Sequence, residues 1–170
     1  MFKILKRREL NPTVTYLEVM APAIAEKAEA GQFLILRVDG EGERVPFTVC
    51  GIDKVRGTVE IVFQIVGAST ERLNRLREGE AIHDLVGPLG NPTVLEGSRV
   101  CLIGGGVGSA IVLPVARHFK SKGLVIHSII GYQTKALAIF EEEFRAVSDE
   151  IVIMTDDGSY GRKGLVTEGL

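Results

Sequence analysis

The sequence is poor in the features that mark several large classes of protein. Only two of its 170 residues are cysteine, too few for a disulfide framework or for an iron–sulfur cluster held by this chain alone. The three histidines lack the spacing of metal ligands, so no metal site is expected. The formal net charge of −2 argues against a nucleic acid as partner. Since no apolar stretch approaches the roughly 20 residues that cross a bilayer, no membrane partner is expected and a cytoplasmic protein is predicted.

Hydrophobic residues, by contrast, are plentiful, and both cysteines lie among them. These residues make up 45% of the chain, which is enough for a buried core and argues against disorder. Cys50 and Cys101 each lie in an apolar stretch. We therefore expect both to be free, buried cysteines that behave as small hydrophobic side chains.

Up to about Glu96, the chain is predicted to form strands joined by turns. β-Branched and aromatic residues dominate 13–20 and 32–38, and residues 58–66 show the period of two that a strand requires. Glycines separate these runs, which favours an antiparallel barrel of the Greek-key type or a sandwich. A single helix is predicted in this half, over 69–77.

After Gly97 the pattern changes to strands that alternate with helices. Apolar runs predict three strands and two helices, at 99–103, 107–122, 124–130, 138–146 and 151–154. This alternation is typical of a parallel α/β sheet whose strands are buried on both faces. The predicted domains are residues 1–96 and 97–170. Because a nucleotide domain usually has more strands, we expect the second domain to be truncated, or its sheet edge to be covered by a partner.

A glycine-rich segment separates the first predicted strand and helix of the second half. It consists of Gly104, Gly105, Gly106, Val107 and Gly108, in the context that a phosphate-binding loop requires. Glycine lets the backbone approach a pyrophosphate, and the helix N-terminus adds free N–H groups. A tight turn without a ligand is the alternative. The second strand ends without the carboxylate that usually binds ribose, so a nucleotide would have to be held differently.

Two segments of the first half could bind a phosphorylated ligand. Residues 44–48 combine an arginine, which can bind a pyrophosphate bidentately, with a proline, an aromatic ring and a hydroxyl. Residues 66–70 place a glycine and two hydroxyls at the start of the predicted helix. The alternatives are an edge strand with a solvated arginine and simple N-capping by Ser69.

These segments, in this order, resemble the ferredoxin–NADP reductase superfamily over essentially the whole chain. The resemblance rests on residues 31–33, 44–48, 63–70, 84–90, 104–108 and 155–164. Within the superfamily, the chain is most similar to the small subunit of NADH-dependent ferredoxin:NADP oxidoreductase, also known as a sulfide dehydrogenase subunit. The electron-transfer subunit of dihydroorotate dehydrogenase is the alternative.

The resemblance implies that the first half binds FAD, that the second half binds NAD(P)H, and that electrons pass between them. The residues that would contact the FAD are Arg44, Pro46, Phe47, Thr48, Phe63, Gln64, Gly67, Ser69 and Thr70. Those that would border the nicotinamide nucleotide are Gly104, Gly105, Gly106, Val107, Gly108, Asp156, Asp157, Gly158 and Ser159. No side chain is expected to act as a catalytic acid or base, because the cofactors carry the chemistry.

The resemblance also implies an iron–sulfur centre and partner proteins. Family members carry a C-terminal cysteine cluster that binds a [2Fe–2S] centre, and this chain has no such cluster. The implied partners are a large flavoprotein or iron–sulfur subunit of a hetero-oligomer, and ferredoxin or a similar electron carrier. The choice between NADH and NADPH stays open. The alternatives of other classes are a non-catalytic nucleotide-binding or assembly module, and an enzyme whose glycine loop holds another phosphorylated ligand.

Overall fold

The computed structural model describes residues 1–170, which divide into two compact units, Met1–Thr93 and Val94–Leu170. The first unit contains a seven-stranded antiparallel sheet and the second a four-stranded parallel sheet. The predicted combination of an antiparallel barrel with a parallel α/β sheet is thereby confirmed. No helix in the structure combines the length and the apolar character needed to span a membrane.

Met1–Thr93 forms one sheet that curls round as a barrel does. Its strands are β1 Phe2–Asn11, β2 Val14–Met20, β3 Phe33–Arg37, β4 Val45–Asp53, β5 Thr58–Gln64, β6 Ala81–Ile82 and β7 Asp84–Leu89. Their order across the sheet is β6-β1-β2-β5-β4-β3-β7. Only His83 lies between β6 and β7, which are at opposite ends of this order, so the chain itself draws the two ends together.

The core of this unit follows from the alternation along β5. Val59, Ile61 and Phe63 point into its buried hydrophobic cluster, with exposed fractions of 0%, 0% and 2%. Gln64 at the end of the strand is exposed. The period of two that predicts this strand therefore also identifies the side of it that faces the core.

Two helices interrupt the strands of this unit, where the sequence predicts one. Helix α2 (Ala68–Arg75) matches the predicted helix, and its Leu73 is fully buried. Helix α1 (Pro22–Ala25) corrects the prediction of a single helix. It is four residues long, too short for the 3.6-residue period to be visible in the sequence, and proline lies in its first turn.

Val94–Leu170 forms a parallel sheet with two α-helices. The strands are β8 Arg99–Gly105, β9 Val125–Tyr132, β10 Glu150–Thr155 and β11 Arg162–Lys163, in the order β11-β10-β9-β8. The helices are α3 Gly108–Ser121 and α4 Glu141–Val147, with 3₁₀ turns at Lys135–Leu137 and Val166–Gly169. The fourth strand corrects the prediction of three, because a two-residue strand leaves no apolar run in the sequence.

Strand β8 lies at the edge of this sheet, and one of its faces is exposed. Arg99, Cys101 and Ile103 are exposed, whereas Leu102 between them is buried. The predictions that this strand is buried on both faces and that Cys101 is a buried cysteine are therefore wrong. An apolar run does not reveal whether each face of its strand is covered by another element. Cys50 is buried as predicted, and burial raises the pKa of its thiol to about 12.

Candidate functional site

Arg44, just before β4, forms an ion pair with Asp84, the first residue of β7. Arg44 Nη1 is 2.8 Å from Asp84 Oδ2, and Arg37 Nη2 is 4.0 Å from the same oxygen. The hydrogen bond from Arg44 is the main cause that lowers the pKa of the Asp84 carboxyl. Two guanidinium groups thus share one carboxylate, which does not neutralise both. Asp84 lies in a segment that carries the resemblance, but no spacing rule identifies it as the partner of Arg44.

The alternation along β4 and β5 separates the predicted FAD contacts into two groups. Pro46 and Gln64 are exposed and Thr48 is partly exposed, whereas Phe47 and Phe63 belong to the hydrophobic core. The ring centroids of the two phenylalanines are 5.9 Å apart, with an angle of 71° between the ring planes. The structure therefore brings Pro46, Thr48 and Gln64 to the surface and places both aromatic rings beneath it.

The predicted glycine and hydroxyl residues lie at the start of α2. Thr70 Oγ1 accepts hydrogen bonds from the N–H groups of Val66 and Gly67, both at 3.0 Å, and donates to Gly67 O at 2.9 Å. Ser69 Oγ donates to Glu43 Oε2 at 3.4 Å. The capping role that the sequence suggested for Ser69 therefore belongs to Thr70, which is buried.

Gln32 is a buried polar residue to which sequence reasoning gives no role of its own. Its Nε2 donates to Gly90 O at 2.8 Å, and its Oε1 accepts from the Glu29 N–H at 2.9 Å. These bonds join the turn before β3 to the end of β7. They hold in place the segment that begins with Asp84. Residues 31–33 and 84–90 both carry the resemblance, but only the fold shows that they are in contact.

The glycine-rich segment joins β8 to α3. A Cβ atom at Gly104 would lie 2.8 Å from the Cα of Ser109, so the strand and helix backbones come into direct contact here. Gly106 has a φ of +54°, which glycine adopts without strain. The N–H groups of Val107 and Gly108 have no backbone acceptor. They lie at the N-terminus of α3 and are available to an anion.

Two buried hydroxyl groups lie behind this loop. Ser109 Oγ donates to Gly106 O at 2.7 Å, and Tyr132 Oη donates to Ile139 O at 2.6 Å. The two hydroxyl oxygens are 3.2 Å apart. Burial raises the pKa of Tyr132. Sequence reasoning missed both roles, because a serine and a tyrosine at these positions follow no motif.

The segment after β10 is held by its own side chains. Asp157 Oδ1 accepts a hydrogen bond from the Ser159 N–H at 2.9 Å, and hydrogen bonds from Ser159 lower the pKa of Asp157. Ser159 Oγ accepts from the Lys135 N–H at 2.9 Å, and Gly158 has a φ of +77°. The Asp156 carboxylate is exposed and makes no hydrogen bond. Among the predicted residues, Asp157 and Ser159 thus shape the loop, and Asp156 is free to meet a ligand.

The first charged side chain after β9 is that of Lys135. Lys135 Nζ lies 4.9 Å from the ring centroid of Tyr160. The Tyr160 hydroxyl donates to Glu141 Oε1 at 2.7 Å, and Arg145 is 2.8 Å from the same oxygen. Glu141 is therefore already paired, so the end of β9 offers no free carboxylate for a ribose, in agreement with the sequence.

Comparison with known proteins gives the family. No protein-family model matches the chain. The dihydroorotate dehydrogenase B (NAD(+)) electron transfer subunit homolog of Thermotoga maritima is 38% identical over 169 residues, which are 99% of this chain and 60% of that protein. The corresponding electron transfer subunit of Streptococcus pneumoniae serotype 4 is 33% identical over 171 residues, 97% of this chain and 67% of that protein. The chain belongs to the family of dihydroorotate dehydrogenase electron-transfer subunits.

A solved structure agrees with this membership of the electron-transfer subunit family. The structure of NADH-dependent reduced ferredoxin–NADP oxidoreductase, described in connection with flavin-based electron bifurcation, matches with a TM-score of 0.93 and 36% identity. The match covers 99% of this chain and 61% of that one. The resemblance to the ferredoxin–NADP reductase superfamily is confirmed. The chain spans about 60% of the length of the Thermotoga relative.

Gly104→Ala is expected to destabilise the unit that contains the glycine loop. The new methyl group would meet backbone atoms of Ser109, which cannot rotate away, and overpacking of this kind costs about 1–3 kcal/mol. Gly108→Ala is the matched control, since a Cβ there meets nothing within 4 Å and alanine favours helix. Calorimetry of the full chain should show a lower Tm for Gly104→Ala only. Equal Tm values for the two variants would contradict the close approach of β8 and α3.

Proposed function

We propose that this chain is the FAD-binding electron-transfer subunit of a hetero-oligomeric oxidoreductase and that it passes electrons between NAD(P)H and a partner. In this proposal Met1–Thr93 is the flavin domain and Val94–Leu170 the nucleotide domain. The observation that carries the proposal is that each unit has a turn at a helix N-terminus whose N–H donors could bind an anion. The first unit has the start of α2 and, in addition, the exposed guanidinium group of Arg44, and the second has Gly104–Gly108 before α3. FAD and NAD(P)H each need one such turn for a pyrophosphate.

In the flavin domain, the positive charge for a pyrophosphate is already oriented. Asp84 holds Arg44 by one guanidinium nitrogen, and the Arg44 side chain is 53% exposed, so its remaining N–H groups can bind phosphate oxygens. At the start of α2, the first amide that bonds back along the helix is that of Glu71, to Gly67 O at 2.9 Å. The amides between Gly67 and Glu71 therefore supply further donors, with the positive end of the helix dipole.

A flat isoalloxazine ring needs a rigid surface with both apolar and hydrogen-bonding groups. Pro46 supplies a rigid apolar group, because its ring fixes the backbone. The Thr48 hydroxyl and the Gln64 amide can bond to the polar edge of the ring. We assign the ring contacts to these three accessible side chains. Phe47 and Phe63, which are buried, are assigned the role of holding β4 and β5 rigid beneath the ring.

In the nucleotide domain, Gly104–Gly108 offers the unpaired amides of Val107 and Gly108 to the pyrophosphate. Asp156 is the candidate for the ribose. It follows β10 directly, and its exposed carboxylate can accept hydrogen bonds from hydroxyl groups. Ligands of parallel sheets bind beyond the carboxyl ends of the strands, which is where this residue lies. It would replace the carboxylate that is missing after β9.

The chain contributes binding, orientation and charge to the reaction. When bound, a flavin supplies the exchange between a two-electron hydride donor and one-electron carriers. The arginines and the two helix N-termini would neutralise the phosphates, and the exposed side chains of β4 would hold the ring. Holding two reactants in fixed positions can lower a barrier by up to roughly 7–11 kcal/mol. Such catalysis requires no side chain that gains or loses a proton.

The relatives suggest two kinds of partner. The subunits from Thermotoga and Streptococcus favour an enzyme that acts on dihydroorotate. The match to NADH-dependent ferredoxin–NADP oxidoreductase favours a large flavoprotein or iron–sulfur subunit and ferredoxin or a similar carrier. We favour the second, since the match over 99% of the chain has a TM-score of 0.93. The 170 residues contain two cysteines, Cys50 and Cys101. A [2Fe–2S] centre would therefore need further ligands.

Anaerobic titration of the FAD-treated chain with NADH and with NADPH tests this function. We expect a yellow protein whose visible flavin absorption is lost when one of the two nucleotides is added. A protein that stays colourless after incubation with FAD would contradict the proposal. A rise in Tm with nucleotide, without bound flavin, would instead support the non-catalytic binding module.

Arg44→Ala is expected to weaken FAD binding about 10- to 100-fold, because a charge-assisted hydrogen bond contributes about 1.5–3 kcal/mol. The variant also leaves the Asp84 carboxylate near the phosphates with only the more distant Arg37 as its partner. Arg75→Ala is the control, since it removes one exposed positive charge from the same unit. Flavin fluorescence titration gives both dissociation constants. Equal FAD affinity in the two variants would show that Arg44 is only a surface residue.

Gly106→Val is expected to abolish binding of NAD(P)H while the flavin stays bound. Valine at a φ of +54° is strained, so the loop must change its backbone conformation. Gly123→Val is the matched control: Gly123 has a φ of +84°, lies in the same unit and, like Gly106, has nothing within 4 Å of an added Cβ. The rate of flavin reduction by NAD(P)H is measured for both. If Gly106→Val were reduced at the wild-type rate, the loop would not be the nucleotide site.

A further inference from the structure

The carbonyl group of Gly106 is held by two donors from one residue. Ser109 N–H donates to it at 3.2 Å and Ser109 Oγ at 2.7 Å. In a trans peptide the C=O and the following N–H point in opposite directions. The bonds to Gly106 O therefore turn the Val107 N–H away from Ser109. That N–H has no backbone acceptor, so it is left for a ligand.

The hydrogens of the two buried hydroxyl groups can be assigned from their partners. Ile139 O and Gly106 O are carbonyl oxygens, which only accept, and each is the shortest partner of one hydroxyl. A hydroxyl has one hydrogen, so Tyr132 donates to Ile139 O and Ser109 donates to Gly106 O. Ser109 is 0% exposed and Tyr132 is 3% exposed, so solvent water cannot readily replace either hydrogen bond.

The Tyr132 hydroxyl also holds a turn with an uncommon backbone conformation. Phe140, which follows Ile139, has a φ of +60° and is the one non-glycine residue with a positive φ. The 2.6 Å bond to Ile139 O stabilises this turn. Tyr132 Oη also lies 3.2 Å from Ser109 Oγ. The Tyr132 side chain therefore stabilises this turn and packs against Ser109, which binds the carbonyl of Gly106.

We propose that Ser109 and Tyr132 are positioning residues that keep the Gly106–Val107 peptide from turning over, so that its N–H and not its carbonyl faces the pyrophosphate. The inference rests on the proposed function of Gly104–Gly108. The restraint is needed because glycine adopts positive and negative φ with similar ease. A reversed peptide would place the partial negative charge of a carbonyl against a phosphate.

Ser109→Ala and Tyr132→Phe in the FAD-loaded full chain test the inference. Ser128→Ala is the matched control: Ser128 lies in β9, is 1% exposed, and shares a 2.7 Å hydrogen bond with Ser148. Calorimetric titration with NAD⁺ and NADP⁺ gives the Kd. From the loss of the hydrogen bond between the Ser109 hydroxyl and Gly106 O, we expect Kd to rise about tenfold in Ser109→Ala. Tyr132→Phe breaks the bond to Ile139 O and loosens the turn beside Ser109, so we expect a smaller rise, about fivefold. Ser128→Ala should lose a similar amount of Tm but keep the wild-type Kd.

A ligand without a pyrophosphate distinguishes the loss of loop positioning from a general loss of stability. Binding of adenosine, which has no pyrophosphate, should be the same in all variants by NMR titration. An equal rise of Kd in Ser128→Ala, or a wild-type Kd in both loop variants, would overturn the role of Ser109 and Tyr132 and leave the proposed function intact. A wild-type chain that binds neither dinucleotide would overturn the proposed function and this inference together.

Discussion

At Gly104, a strand and a helix approach so closely that an added Cβ would lie 2.8 Å from the Cα of Ser109. This contact makes β8 end and α3 begin within a few residues, and it directs the start of α3 towards the end of the strand. The packing at Gly131 of β9 is equally close, since an added Cβ there would lie 2.6 Å from the Cβ of Val166. The absence of side chains at these glycines thus allows backbone amides, rather than side chains, to form the surface offered to a phosphate.

In Met1–Thr93, the proposed flavin domain, side-chain charge would meet the same requirement. Arg37 and Arg44 both face Asp84, so the carboxylate orients the arginines without cancelling their combined charge. An arginine held in this way loses less conformational freedom when it binds a phosphate than a fully mobile one would. The core beneath, which includes Phe47 and Phe63, keeps the two strands rigid. In the proposed function, the two units would bind pyrophosphate in two ways, one based mainly on backbone amides and one mainly on guanidinium groups.

The sequence predicts those parts of the fold that depend on local periodicity. The alternation at Val59, Ile61 and Phe63 identifies a strand and its buried face, and the glycines between an apolar run and a helical run identify the loop. The sequence does not predict the burial and the contacts that depend on which elements pack together in the fold. Cys101 is exposed because its face of β8 is left uncovered, which only the packing of the fold reveals. The sequence also does not predict that Arg44 pairs with Asp84, because the pairing of distant strands brings these residues together. Nor does it predict that the hydroxyl groups of Ser109 and Tyr132 meet behind the loop.

Hydrogen exchange of the full chain, followed residue by residue by mass spectrometry, tests most directly the division into a flavin-binding and a nucleotide-binding unit. We expect FAD to protect amides around residues 44–48 and 63–70, and NAD⁺ or NADP⁺ to protect 104–108 and 156–159. Protection of the glycine loop by FAD with none around Arg44, or protection of neither region by either ligand, would contradict this division.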